Sequence, residues 1–177
     1  MKAIKAKNMY KNSPVTPVSV PVIAIECGNN VSCEALVDTG SSVNILSKDF
    51  LNKLIHSKNV KKVTSTTVQC VSASNNNLKL LGQCRVKIKI GHFSWKANFV
   101  IAKDFSWNML LGVPFIKHSL MQINLHENNV YFKFQPHFKF SLLKRVKKEV
   151  NCVEQSEVIG TPEIKKCIVG LMPKCVR

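Results

Sequence analysis

The residues best suited to chemistry are the polar ones that interrupt an apolar stretch at positions 35–47. Two strand-forming aliphatic residues lead into Asp38, so the chain would present this carboxylate on a rigid support. Gly40 allows a close backbone approach or a positive φ. We expect the hydroxyl groups of Thr39 and Ser41 to hold the turn and to lower the pKa of Asp38 by stabilising its charged form. Such a carboxylate can act as a general acid or base, although a simple Asx-type turn has the same composition.

A second segment, residues 107–116, reads Trp-Asn-Met-Leu-Leu-Gly-Val-Pro-Phe-Ile. Together the two segments resemble the signatures of the retropepsins, the aspartic proteases of retroviruses and LTR retrotransposons. In that family, two apolar residues precede Asp-Thr-Gly-Ser or Asp-Thr-Gly-Ala. Two aliphatic residues and a glycine then open a short helix behind the active-site loop. The order of the two signatures, and the separation of Asp38 from Gly112, are those of the family, so the resemblance implies an aspartic endopeptidase.

The resemblance also implies a role for each part of these motifs. Asp38 would be the catalytic acid, Thr39 would form hydrogen bonds across a dimer beneath the carboxylates, and Gly40 would let the substrate backbone come near. No cofactor and no metal ion are implied. Residues from the active-site loop, from the tip of a flap and from the second signature would bind substrate, namely Ser41, Ser42, Ser74, Asn75, Asn76, Leu110, Leu111 and Gly112.

Peptide hydrolysis by this mechanism needs two carboxylates, and the chain contains a single Asp-Thr-Gly. One carboxylate is ionised and activates water, while the other is protonated and polarises the scissile carbonyl group. A twofold homodimer would supply a second Asp38. The sequence therefore predicts that one chain is half of an active site.

The elements that would position Asp38 are predominantly strands. Residues 19–27 and 31–37 alternate or run apolar on either side of Gly-Asn-Asn, which predicts a β-hairpin that ends at the aspartate. Residues 43–46 would form the next short strand. Ser47 is suited to cap a short helix that runs to Ile55 with one apolar face.

A second hairpin is predicted from two strand-like segments, residues 60–70 and 78–90, joined by small polar residues. In a retropepsin this hairpin would be the flap that closes over a bound peptide, whereas an ordinary surface hairpin is the alternative. Pro114 suits the first turn of a second helix, to about Leu120. The predicted fold is mainly β, a retropepsin-like closed β-barrel (the acid protease fold) with one or two short helices, forming the half-site of a homodimer.

Length and composition predict one small domain. The chain has 177 residues, of which 45% are hydrophobic and 20% charged, an ordinary globular balance. We expect a linker at residues 1–17, the protease domain at 18–135, and a basic tail or polyprotein connector at 136–177. No apolar run long enough for a membrane span and no signal peptide are visible, so we expect a cytoplasmic protein, or one inside retroelement particles. The seven cysteines, an odd number at irregular spacing, favour reduced thiols.

The formal net charge is +16, which raises the question of nucleic acid. The basic residues do not alternate with a series of stacking aromatic residues, so we expect nucleic acid to bind only through the basic tails, if at all. The expected partners are a second copy of the chain and a peptide or polyprotein substrate. Two alternatives stay open: a cellular or domesticated retropepsin-like protease, and a non-catalytic dimerisation or peptide-binding module. Retention of the Asp-Thr-Gly triplet argues against the second.

Overall fold

The computed structural model of the chain describes residues 20–28, 31–72, 76–145 and 174–176. The strands are β1 (Val20–Cys27), β2 (Val31–Val37), β3 (Ile45–Ser47), β4 (Val63–Thr64), β5 (Gln69–Val71), β6 (Leu80–Ile90), β7 (Phe93–Ala102), β8 (Met109–Leu111), β9 (Met121–Asn124), β10 (Asn129–Phe132), β11 (Gln135–Ser141), β12 (Leu143–Arg145) and β13 (Lys174–Val176). The helices are α1 (Lys48–His56) and α2 (Val113–Ser119). Neither helix of the described residues is long and apolar enough to cross a membrane.

The main sheet closes on itself. Its strands follow the order β12, β1, β2, β8, β3, β7, β6 and β4, and an additional pairing joins β1 to β6. That pairing matches Glu26 with Lys89 and Cys27 with Ile88, so β1, β2, β8, β3, β7 and β6 form a ring. The predicted fold class is confirmed, since the chain is mainly β with a ring of strands and two short helices.

Apolar side chains fill the ring and fix the helices against it. Strand β6 alternates strictly from Cys84 to Ile90, with buried Val86 and Ile88 facing the interior. Helix α1 begins after Ser47, whose Oγ accepts a hydrogen bond of 3.1 Å from the backbone N–H of Phe50, so the predicted cap is confirmed. A second, smaller apolar cluster contains Val22, Leu36, Ile45, Cys70, Val100, Ala102 and Leu110.

A hairpin is present where the flap is predicted, and we call it the flap hairpin, although its first strand is shorter than expected. Within the predicted segment 60–70, only β4 and β5 are regular strands. The backbone N–H of Ser72 donates to the carbonyl of Asn76 at 2.8 Å, and that of Leu78 donates to the carbonyl of Cys70 at 2.8 Å. The chain therefore reverses between these pairs. Strand β5 also pairs with β13 in antiparallel fashion.

Three described strands, β11, β12 and β13, lie at or beyond the expected domain end at residue 135. Strand β11 pairs with β10 in a three-stranded sheet with β9, and β12 pairs with β1. Leu142, between β11 and β12, is buried in the main core. Pro136 lies at a register shift in β11, an edge strand, where it has no partner residue on β10, so the ladder does not need its missing N–H. We therefore propose that the domain extends to about residue 145.

Candidate active site

Asp38 begins the loop that leaves strand β2, beside β8. The two strands are parallel, with Leu36 opposite Leu110 and Val37 opposite Leu111. The backbone N–H of Asp38 continues this ladder by donating to the Leu111 carbonyl at 2.9 Å. The two sequence signatures thus lie on adjacent strands, and the backbone of the second signature holds the residue that carries the carboxylate.

The loop that follows Asp38 is held against the start of helix α2. The backbone N–H of Val113 donates to the Ser41 carbonyl at 2.8 Å. Gly112 caps the helix here, and a Cβ at this position would lie 2.1 Å from the Val43 carbonyl oxygen and 2.8 Å from that of Ser41. Both are backbone atoms, which cannot move aside as a flexible side chain could. Position 112 therefore has room for glycine alone.

Asn44 ties the loop to two other elements, and the sequence analysis did not identify it. Its side chain is buried, its Oδ1 accepts from the Gly112 backbone N–H at 2.9 Å, and its Nδ2 donates to the Asn98 carbonyl on β7 at 2.9 Å. In the sequence, the feature that could have indicated this role is the position of Asn44 between two apolar residues, Val43 and Ile45, at the start of a buried strand. A buried amide requires partners, so this position was a candidate for a structural hydrogen-bond hub.

The carboxylate of Asp38 is buried and only partly satisfied. The residue exposes 1% of its surface. Its Oδ1 accepts a 2.7 Å hydrogen bond from the Gly40 backbone N–H, whereas its Oδ2 is buried and has no hydrogen-bond partner within the described ranges. Burial disfavours the charged form and raises the pKa of Asp38 above its ordinary value, while the backbone N–H groups of Gly40 and Ser41 partly oppose this rise.

The expectation that two hydroxyl groups lower the pKa of Asp38 is wrong. The Ser41 hydroxyl is buried and donates to the Val43 carbonyl at 2.8 Å instead. Thr39 is exposed, and the groups that lower the pKa are backbone amides. The net shift is upward because desolvation outweighs them. A carboxylate with a raised pKa is better suited to holding a proton at mildly acidic pH.

The structure brings together most of the predicted site residues. The loop contains buried Ser41 and exposed Thr39, Gly40 and Ser42. Leu110 and Leu111 are both buried behind it: Leu111 belongs to the main core, while Leu110 belongs to the second apolar cluster together with Cys70 of the flap hairpin. Of the three residues predicted at the flap tip, Asn76 is exposed on the flap hairpin. The other two, Ser74 and Asn75, lie outside the described residues.

Comparisons with known proteins agree with this geometry. Residues 26–118 match the family model described as "gag-polyprotein putative aspartyl protease". This range includes both signatures and covers more than half of the chain. The chain belongs to this family. Its aspartic protease-like domain therefore contains the Asp38 loop, Asn44 and Gly112.

A solved structure shows the same fold at low sequence identity. The retroviral protease-like domain of Ddi1 from Leishmania major aligns with a TM-score of 0.54 and 16% identity, over 71% of this chain and 95% of that one. The EIAV protease complexed with the inhibitor HBY-793 aligns with a TM-score of 0.49 and 18% identity, over 66% and 96% of the two chains. A search of curated proteins found no significant match. The fold is retropepsin-like.

Proposed function

We propose that the chain is an aspartic endopeptidase of the retropepsin type that acts as a homodimer. The observation that carries this proposal is the Asp38 carboxylate, which is buried at the end of a strand with one oxygen held by Gly40 and the other without a partner in the described chain. An unsatisfied buried oxygen is unfavourable, and a second Asp38 sharing one proton with it would satisfy it. Family membership supports this interpretation.

The chemistry requires the two carboxylates to differ in protonation. The ionised Asp38 removes a proton from a water molecule, whose oxygen then attacks the scissile carbonyl carbon. The protonated Asp38 of the second copy donates its proton to the carbonyl oxygen. When the tetrahedral intermediate collapses, the C–N bond breaks, the leaving nitrogen takes up the proton of the first carboxyl group, and a hydroxyl group of the intermediate gives its proton to the second, so the pair again holds one proton. The raised pKa of Asp38 favours a state in which one of the two holds a proton.

The surroundings of Asp38 support a binding role for the neighbouring residues. Thr39 and Gly40 are exposed next to the buried carboxylate, so they can meet a second copy or a substrate backbone. Leu110 lies in the cluster that includes Cys70, with partly buried Leu78 and Leu80 packed against it. We propose that this cluster lines the cleft below the flap and that substrates are polyprotein segments with apolar side chains. The 1% exposure of Asp38 means that the carboxylate must become accessible on assembly or substrate binding.

The test is peptide cleavage by the purified full chain. The chain is incubated with a peptide library from about pH 3 to pH 7, with and without pepstatin, and the products are identified by mass spectrometry. We expect cleavage at defined bonds, with an acidic optimum and loss of activity in pepstatin. Cleavage that pepstatin does not affect, or no cleavage by a chain shown to be dimeric, would contradict the proposal. The second result would favour a non-catalytic peptide-binding module.

A further inference from the structure

The outer face of the β6 and β7 pair is densely basic. Along the alternating part of β6, from Cys84 to Ile90, the exposed residues are Arg85, Lys87 and Lys89, because the residues between them are buried in the ring. On β7 the residue opposite Lys87 is Lys96, and the residue opposite Arg85 is Asn98. We call Arg85, Lys87 and Lys96 the basic face. Lys89, at its edge, is already paired with Glu26 at 2.9 Å.

The register of this strand pair places like charges directly across from each other. Lys87 and Lys96 are cross-strand partners, an arrangement that destabilises an isolated sheet. The described chain contains ion pairs at Lys89–Glu26 and Lys139–Glu127, and neither involves a residue of the basic face. The face therefore combines an unfavourable charge pair with no compensating carboxylate in the described ranges. A bound anion would supply the compensation.

A groove runs along one side of the basic face, where Arg85 and Lys96 line it, while Lys87 lies next to Lys96 outside the groove walls. Two shallow cavities, of about 230 Å³ and about 220 Å³, share Arg85 and Asn98 in their walls. The first reaches Lys62, and the second reaches Lys96 and His118. No carboxylate lines either cavity in the part of the chain that the structure describes. The cationic side chains are thus distributed along a groove rather than directed at one point.

We infer that this groove binds the phosphodiester backbone of single-stranded nucleic acid. A row of separated cations suits a polyanion with regularly repeated charges better than one small anion. An acidic protein would need apolar anchors as well, and the aromatic residue in the groove wall, Phe115, is fully buried. The exposed ring in the walls is the imidazole of His118, and no exposed Phe, Tyr or Trp lines either cavity in the described chain. With so little surface for base stacking, we expect binding that depends little on sequence. The residues that line this groove all come from positions 44–118 of the sequence, within the folded domain.

The test compares two variants of the full chain with equal loss of charge. In the first, Arg85→Gln, Lys87→Gln and Lys96→Gln neutralise the basic face. The matched control carries Lys48→Gln, Lys103→Gln and Lys133→Gln, which are exposed positions away from the groove. Both retain the tails, so any contribution of the tails is the same. Binding of a fluorescent single-stranded RNA of about 20 nucleotides is measured by anisotropy at several salt concentrations, with circular dichroism as the check on folding.

We expect the basic-face variant to bind RNA at least about tenfold more weakly than wild type at low salt. The slope of the logarithm of its binding constant against the logarithm of the salt concentration should be smaller in magnitude by about 2, because each of the three lost phosphate contacts changes that slope by about 0.7. The control should stay within about twofold of wild type. Equal losses in both variants would overturn the inference, because binding would then depend on overall charge. Displacement of RNA by polyglutamate at equal charge concentration would also overturn it, in favour of an acidic protein partner.

Discussion

Replacing Asn44 tests how the fold positions the Asp38 loop. Asn44→Ala removes the acceptor of the buried Gly112 N–H and the donor to the Asn98 carbonyl. A buried N–H left without a partner costs about 1–3 kcal/mol, and loss of the second bond removes about 0.5–1.5 kcal/mol. We therefore expect the free energy of unfolding to fall by about 2–4 kcal/mol. Activity should fall too, because Gly112 directly precedes Val113, whose backbone N–H donates to the Ser41 carbonyl and so holds the loop that follows Asp38.

The matched control is Asn98→Ala. The bond from Asn44 goes to the backbone carbonyl of Asn98, so this substitution keeps it, and the exposed side chain at this position should contribute less than about 0.5 kcal/mol. Both variants and wild type are unfolded with urea at one protein concentration, since a dimer's stability depends on concentration. If Asn44→Ala is as stable as Asn98→Ala, the amide does not hold the loop, and our account of the site geometry fails.

Three further predictions concern assembly, the domain boundary and pH. Specific activity should fall on dilution, with an apparent second-order dependence of the cleavage rate on chain concentration, and sedimentation at the same concentrations would show whether the dimer dissociates. A cleavage rate proportional to concentration in a chain shown to be monomeric would exclude the dimer. A chain ending after Arg145 loses the short pairing of β13 with β5 but keeps the ring and its core, so it should melt close to the full chain. One ending at Gln135 should melt at lower temperature in calorimetry because it lacks β12 and buried Leu142. Burial raises the pKa of Asp38, so the folded state holds its proton more tightly than the unfolded state does. The free energy of unfolding of wild type, relative to that of Asp38→Asn, should therefore decrease as pH rises from about 4 through the raised pKa, as measured by urea titrations. A difference in free energy between the two proteins that does not change with pH would contradict this.

The local elements around Asp38 could be predicted because short-range patterns determine them. The hairpin before Asp38, the cap at Ser47 and the helix after Gly112 each follow from a strand alternation, a capping residue or a proline in the first turn. Contacts between distant segments carried no comparable signal. The pairing of Glu26 with Lys89 closes the ring, and nothing in either strand alone indicates its partner.

Two parts of the site also required the structure. The pKa of Asp38 depends on how deeply the loop is buried, and the sequence indicated only which polar groups were near it. Asn44 acts through atoms of residues far along the chain, Asn98 and Gly112, so its role follows from the fold. Strand β11 was missed because all but one of its residues are exposed and it contains Pro136, which weakens the usual alternation of a strand.

The most direct test of the central claim is the activity of Asp38→Asn, alone and mixed with wild-type chain. The amide is close in size to the carboxylate but can neither accept the proton from water nor share one, so we expect the variant to dimerise and to hydrolyse no peptide. When the variant is mixed with wild type in equal amounts and allowed to exchange subunits, a quarter of the dimers should retain two carboxylates, so activity should fall to about half that of the same wild-type chains without variant. Substantial cleavage by Asp38→Asn, in a preparation free of other proteases, would contradict an aspartic mechanism at this residue.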